Sequence, residues 1–123
     1  MEFLAATKIP ASVEDLQRRL TIADLPHWCV SIDKVLSDKN TSGEIFCVWG
    51  TFLANRELMR NGVRFTLPDC PNAFQWTVTT GHQPDPLTTY IHASINRVEQ
   101  DQDFVDSLQK FVDDWKDGLE LHW

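Results

Sequence analysis

Between Asp101 and Leu119 the apolar residues Phe104, Leu108, Phe111, Val112, Trp115 and Leu119 recur at spacings of four, three, one, three and four, which gathers them on one stripe of a helix. A face that wide is unstable in water and predicts a helix laid across other apolar surface. The segments upstream supply that surface. Phe74, Trp76 and Val78 alternate with Gln75, Thr77 and Thr79, and Ile91, Ala93 and Ile95 alternate with Tyr90, His92 and Ser94 within Leu87 to Asn96, as half-buried strands do.

Nearer the start, Phe3 to Ile9 reads as a strand stopped by Pro10. Ser12 then caps a short helix carrying Val13, Leu16 and Leu20 on one face, with Asp15 completing a capping-box pattern, and the helix ends near Ile22. Leu25-Pro26 turns the chain into a strand from His27 to Leu36, with Trp28, Val30 and Ile32 on one side. After the polar turn Asp38 to Gly43 comes a second strand, Ile45 to Leu53. Ile45, Cys47 and Trp49 on one face are matched by Phe46, Val48 and Phe52 on the other, which predicts a strand covered on both faces or one whose outer face meets another subunit.

Arg56 to Leu67 holds Asn61-Gly62, the residue pair that tolerates the positive φ of a two-residue hairpin turn. That turn would pair Arg60 with Val63, Leu58 with Phe65 and Arg56 with Leu67. The competing reading makes Arg56 to Arg60 one helical turn. Pro68 to Asn72 is a loop by composition, and Gly81 to Pro86 is the next turn.

These elements sum to an α+β fold: an antiparallel β-sheet of five to seven strands, a short N-terminal helix, and a long C-terminal helix packed across the sheet. At 123 residues, 42% of them hydrophobic, one domain spanning residues 1–123 is expected. The element order suits a curved sheet wrapped on the last helix with a cavity between them. No run approaches the roughly 18 apolar residues of a membrane span, and the start Met1-Glu2-Phe3-Leu4 lacks the basic residues of a secretory signal, so no membrane insertion and a cytoplasmic location are expected.

Charge narrows the partners. The net charge of −7 repels phosphate backbones, and no basic stripe offsets it, so nucleic acid is not an expected partner. Cys29, Cys47 and Cys70 match no zinc-finger spacing and read as free thiols, two of them core residues. His82, Asp85 and His92 lie close in sequence and could in principle meet on a metal, but turn histidines and aspartates are ordinary surface residues and no zinc-binding motif accompanies them, so no metal and no cofactor are expected. Cys70 has no histidine near it in sequence. No phosphate-cradling glycine loop or nucleophile elbow is present, and no catalytic residue is assigned.

The binding candidates are aromatic and basic. Trp28, Trp49, Trp76 and Trp115 fall on inward faces, as core or as the lining of an apolar cavity, while Trp123 lies past the helix as a tail or a contact with a second copy. Arg56, Arg60 and Arg64 are the clustered cations of an acidic chain. Arg56 and Arg60 either rim a pocket and hold an anionic group, or cover apolar surface with their stems while Arg64 pairs with Glu57. The resulting expectation is a non-catalytic module binding an apolar or amphipathic small ligand between sheet and C-terminal helix, with Arg56, Arg60, Trp49, Trp76 and Trp115 as ligand-binding residues. The alternative is a protein-interaction module that forms a homodimer through an apolar sheet face or edge. An enzyme whose site no spacing rule detects is the third reading.

Overall fold

The computed structural model describes residues 1–123. Seven strands, β1 (Glu2–Thr7), β2 (Ile32–Asp38), β3 (Ser42–Cys47), β4 (Gly50–Met59), β5 (Gly62–Thr66), β6 (Gln75–Thr79) and β7 (Thr89–Ser94), build one antiparallel sheet in the order β1-β7-β6-β5-β4-β3-β2. β2 to β7 are a meander of consecutive neighbours, and the N-terminal strand closes the far edge beside β7. Three helices, α1 (Val13–Arg19), α2 (Leu25–Trp28) and α3 (Gln102–His122), share with the sheet a core of 27 buried hydrophobic residues.

The helical period of the C-terminal segment is realised in full. Leu108, Phe111, Val112, Trp115 and Leu119 are buried, and α3 lies against β1 and β7 while α2 packs on α3 and β2. At α1 the capping box forms as the sequence predicts: Ser12 Oγ accepts from the Asp15 amide at 3.0 Å, and Asp15 Oδ2 accepts from the Ser12 amide at 3.2 Å. That amide, followed by the Ser12 hydroxyl, holds the Asp15 carboxyl below its ordinary pKa.

Three local expectations are corrected. The strand foreseen over His27 to Leu36 begins only at Ile32, because Pro26, which needs no amide donor, starts the helical turn Leu25–Trp28. Val30 therefore does not share a side with Trp28 and Ile32: it is 75% exposed, and they are buried.

The single strand foreseen over Ile45 to Leu53 is two strands, with Val48 and Trp49 as the loop between the paired residues Cys47 and Gly50. Gly50 has φ +116°, a backbone that side chains other than glycine's rarely adopt. The turn resets the phase, so Phe52 pairs with Ile45 and joins it on the helix-covered face, whereas Phe46 pairs with Thr51 on the open face. The doubly apolar pattern is thus a hairpin folded on itself and not a strand covered on both sides.

The third correction concerns the next hairpin. β4 runs as strand through Met59, which removes the helical-turn reading, but Leu58 pairs with Val63 and Arg56 with Phe65. The turn residues are Arg60 and Asn61, and Gly62 is the first residue of β5, outside the positive-φ region. Glycine is required there for another reason: a Cβ would sit 2.0 Å from the carbonyl oxygen of Val78 on β6. Gly62→Val and Gly62→Asn are both expected to destabilise the protein by about 2 kcal/mol or more through this overpacking. Denaturant midpoints separate the two causes, since asparagine, which tolerates positive φ, would be spared if backbone conformation were the reason.

Trp123 is held rather than free. The guanidinium of Arg19 sits 4.1 Å from its ring centroid and 5.1 Å from that of Trp28, and Arg19 Nη1 donates to the Trp123 carbonyl at 3.1 Å.

Candidate functional site

The seam between sheet and α3 opens at one end, where three separate stretches converge. The β3–β4 turn contributes Trp49, and Phe52 follows on β4. The loop from Leu67 to Phe74 supplies Cys70 and Asn72, and the first two turns of α3 bring Phe104 and Leu108. Together they line an apolar cleft of about 210 Å³.

The aromatic walls are locked to one another. Trp49 meets Phe74 edge-on at 5.1 Å between centroids and 73° between planes, and Phe104 at 6.1 Å and 72°. Its indole N–H donates to Ser107 Oγ at 2.8 Å, and Ser107 donates onward to the Phe104 carbonyl at 2.6 Å, so α3 fixes the ring's orientation. The loop is shaped by tight turns: the Cys70 amide donates to the Leu67 carbonyl and the Ala73 amide to the Cys70 carbonyl, each at 3.0 Å, and Ala73 takes φ 51°. Asp69 fastens the loop to β4 by accepting from the Leu53 amide at 3.4 Å.

Of the residues the sequence proposed for binding, only Trp49 lines this cleft. Trp76 and Trp115 are fully buried behind it, packed in the aromatic core with Phe65 and Phe111, and both indole N–H groups lack a protein partner. Arg56 lies outside this cleft. It extends the inner face of β4 past the core, and its guanidinium donates to the Leu20 carbonyl at 2.7 Å and to the Gln17 carbonyl, satisfying groups that the end of α1 leaves open. Burial lowers its pKa from the ordinary value. Arg60 is exposed in the β4–β5 turn, and Arg64 pairs with Glu57 directly opposite it. The other eight lining residues, Phe52, Asn72 and Phe104 among them, are ones that sequence reasoning did not assign to binding.

The remaining polar candidates go to separate partners. His82 bonds Thr79 Oγ1 at 2.9 Å, His92 bonds Glu2 at 2.8 Å, and Asp85 accepts from Thr88 Oγ1 at 2.5 Å. Burial pushes the Cys29 thiol up to about 12 and raises that of Cys47 as well, so both stay protonated at neutral pH and behave as core residues. A second, wider depression of about 440 Å³ lies between Val30, Phe46, Val48 and Lys110. Two of its lining residues, Ser31 and Lys110, are tied to the buried carboxylate of Asp114, which accepts from Ser31 Oγ at 2.5 Å and from Lys110 Nζ at 2.7 Å. These bonds tie the segment before β2 to α3 and leave that carboxylate oxygen engaged twice.

Fold and cleft together define an α+β protein whose antiparallel sheet is gripped on one face by its C-terminal helix. Among solved structures the chain is similar to the protein XoxI from Bacillus cereus, with TM-score 0.70 and 13% identity over 98% of this chain and 93% of that one. It is also similar to an uncharacterised protein from Bacillus thuringiensis, with TM-score 0.55 and 12% identity over 94% of this chain and 98% of the other. At such identity the likeness shows the fold alone. No family model and no curated protein matches the chain. No helix is long and apolar enough to cross a membrane.

Proposed function

We propose that this chain is a single-domain, non-catalytic module that binds an apolar or amphipathic small molecule in the cleft between sheet and C-terminal helix. The observation that carries this reading is the aromatic lining of the cleft at the open end of the seam. Trp49, Phe52 and Phe104 are only partly buried there, although a closed core would have covered them. The three cysteines are free thiols, which supports a reducing compartment, and we place the protein's action in the cytoplasm.

About ten ligand heavy atoms at roughly 0.5 kcal/mol each correspond to a dissociation constant on the order of 0.1–1 mM. Titrating the protein with fatty acids, flavonoid-like compounds, steroids and indole is expected to change tryptophan emission with at least one of them. Trp49→Phe should abolish most of that change, because the other core tryptophans lie behind the cleft. Flat emission across the whole set overturns the reading.

The second reading, self-association, is favoured by Phe46, Val48 and Leu53. These lie near one another around the β3–β4 hairpin and are 41%, 59% and 48% exposed. A dimer in sedimentation velocity that Phe46→Glu converts to monomer would support it over ligand binding.

A further inference from the structure

Resting on the ligand-binding reading above, we infer that the occupant of the cleft is a compound of one or two fused aromatic rings bearing a neutral acceptor oxygen, such as a phenol or an aryl carbonyl. The ring lies among Trp49, Phe52, Phe74 and Phe104, and the oxygen is received by the side-chain amide of Asn72.

Size gives the first constraint. A protein cavity of about 150 Å³ lined by leucine, isoleucine and phenylalanine accepts benzene. The 210 Å³ here adds room for a second ring or a short substituent. A long acyl chain or a four-ring sterol would leave most of its carbons in water.

The walls give the second constraint. Because Trp49 stands at 73° to Phe74 and 72° to Phe104, the lining offers both ring faces and ring edges. An aromatic guest can meet both in the offset or edge-to-face contacts that rings prefer, which strengthens binding about two- to tenfold beyond area alone. An aliphatic guest of equal size gains none of this.

The third constraint is the distribution of hydrogen-bond donors. The indole N–H of Trp49 is spent on Ser107, and the Ser107 hydroxyl on Phe104. Asn72 is half spent. Its backbone carbonyl accepts from the Asn96 amide at 2.9 Å and its Oδ1 from Gln100 Nε2 at 2.8 Å, which fixes the side chain and leaves its two amide N–H donors without a protein partner. A ligand oxygen is the acceptor these donors can take in exchange for water. The chain's net charge of −7, with Asp69 next to Cys70 and Asp103 next to Phe104 in sequence, disfavours an ionised carboxylate and selects a neutral oxygen.

The test compares 2-naphthol, naphthalene and myristate by the shift of the Trp49 indole N–H signal in ¹H–¹⁵N spectra, assigned with Trp49→Phe. The expected result is 2-naphthol binding about two- to tenfold more tightly than naphthalene. Asn72→Leu should erase that gap, read as the ratio of the two affinities within the same variant. Asn72→Ala, which removes both donors with a smaller side chain and adds no charge, should do the same and guards against a folding defect in the leucine variant. Equal binding of the two ring compounds, or a gap that survives both variants, overturns the role of Asn72 while apolar binding stands. Myristate moving the Trp49 signal when neither ring compound does overturns the ring-sized ligand class but keeps the cleft as a binding site. No response to any of the three overturns this inference and the binding reading together.

Discussion

Trp115→Ala is expected to lower stability by about 3–5 kcal/mol, the usual cost of truncating a large buried aromatic. Trp115 has no solvent exposure, and its ring lies 6.2 Å from Phe65 and 6.5 Å from Trp76, so the void would open in the middle of the aromatic stack joining α3 to the sheet. Against a total stability of about 5–15 kcal/mol for a domain, this loss puts folding at risk, and the melting midpoint should fall by more than about 10 °C. Trp115→Phe should cost far less. It keeps most of the volume and removes an indole N–H that has no partner, so part of the lost packing is offset by a relieved unsatisfied donor. Calorimetry on the two variants tests the claim: near-native melting of Trp115→Ala would mean that α3 does not dock through this residue.

How far the sequence discloses such features depends on whether one segment's pattern is enough to determine them. The α3 stripe and the alternation around Trp76 and Ile91 are set by one element facing one core, and their periods alone give the helix, the strands and the antiparallel sheet. The turn at Val48-Trp49 is different. Both residues are apolar and strand-forming, and the chain reverses there because Gly50 can adopt φ +116° and because Trp49 is drawn down to Ser107 on a helix almost sixty positions away. Arg56 was legible as a cation near apolar residues, but its role depends on where the carbonyls of Gln17 and Leu20 end up in space. The cleft is the extreme case. Trp49, Asn72 and Phe104 come from three separate stretches of chain, and each taken alone looks like a core or loop residue. Of the three, the sequence marks only Trp49 as a binding residue, because an abundance of tryptophan shows at the level of composition, whereas convergence of distant segments has no local signature.

Gly118 poses the same problem with a sharper outcome. In the last turns of a 21-residue helix, glycine is a poor choice, and by helix propensity alone Gly118→Ala should stabilise the protein by about 1 kcal/mol. The packing of α2 on α3 predicts the opposite sign. A Cβ at this position would lie 1.8 Å from the carbonyl oxygen of Trp28 and 2.6 Å from its carbonyl carbon. Backbone atoms cannot swing aside as a flexible side chain would. Relief would have to come from moving Leu25–Trp28 as a unit, and that unit is anchored by buried Leu25 and Trp28 and by the Trp28 indole donating to the Arg19 carbonyl at 3.3 Å. Overpacking of this kind costs about 1–3 kcal/mol and more when the neighbour cannot yield, which exceeds the gain in propensity. A net loss of about 2 kcal/mol is therefore expected, seen as a lower denaturant midpoint at unchanged slope. Asp117→Ala, one residue earlier on the exposed face, should stay within about 0.5 kcal/mol of the parent and controls for the helix itself. A Gly118→Ala protein as stable as the parent, or more so, would show that α2 does not sit against α3 at this distance.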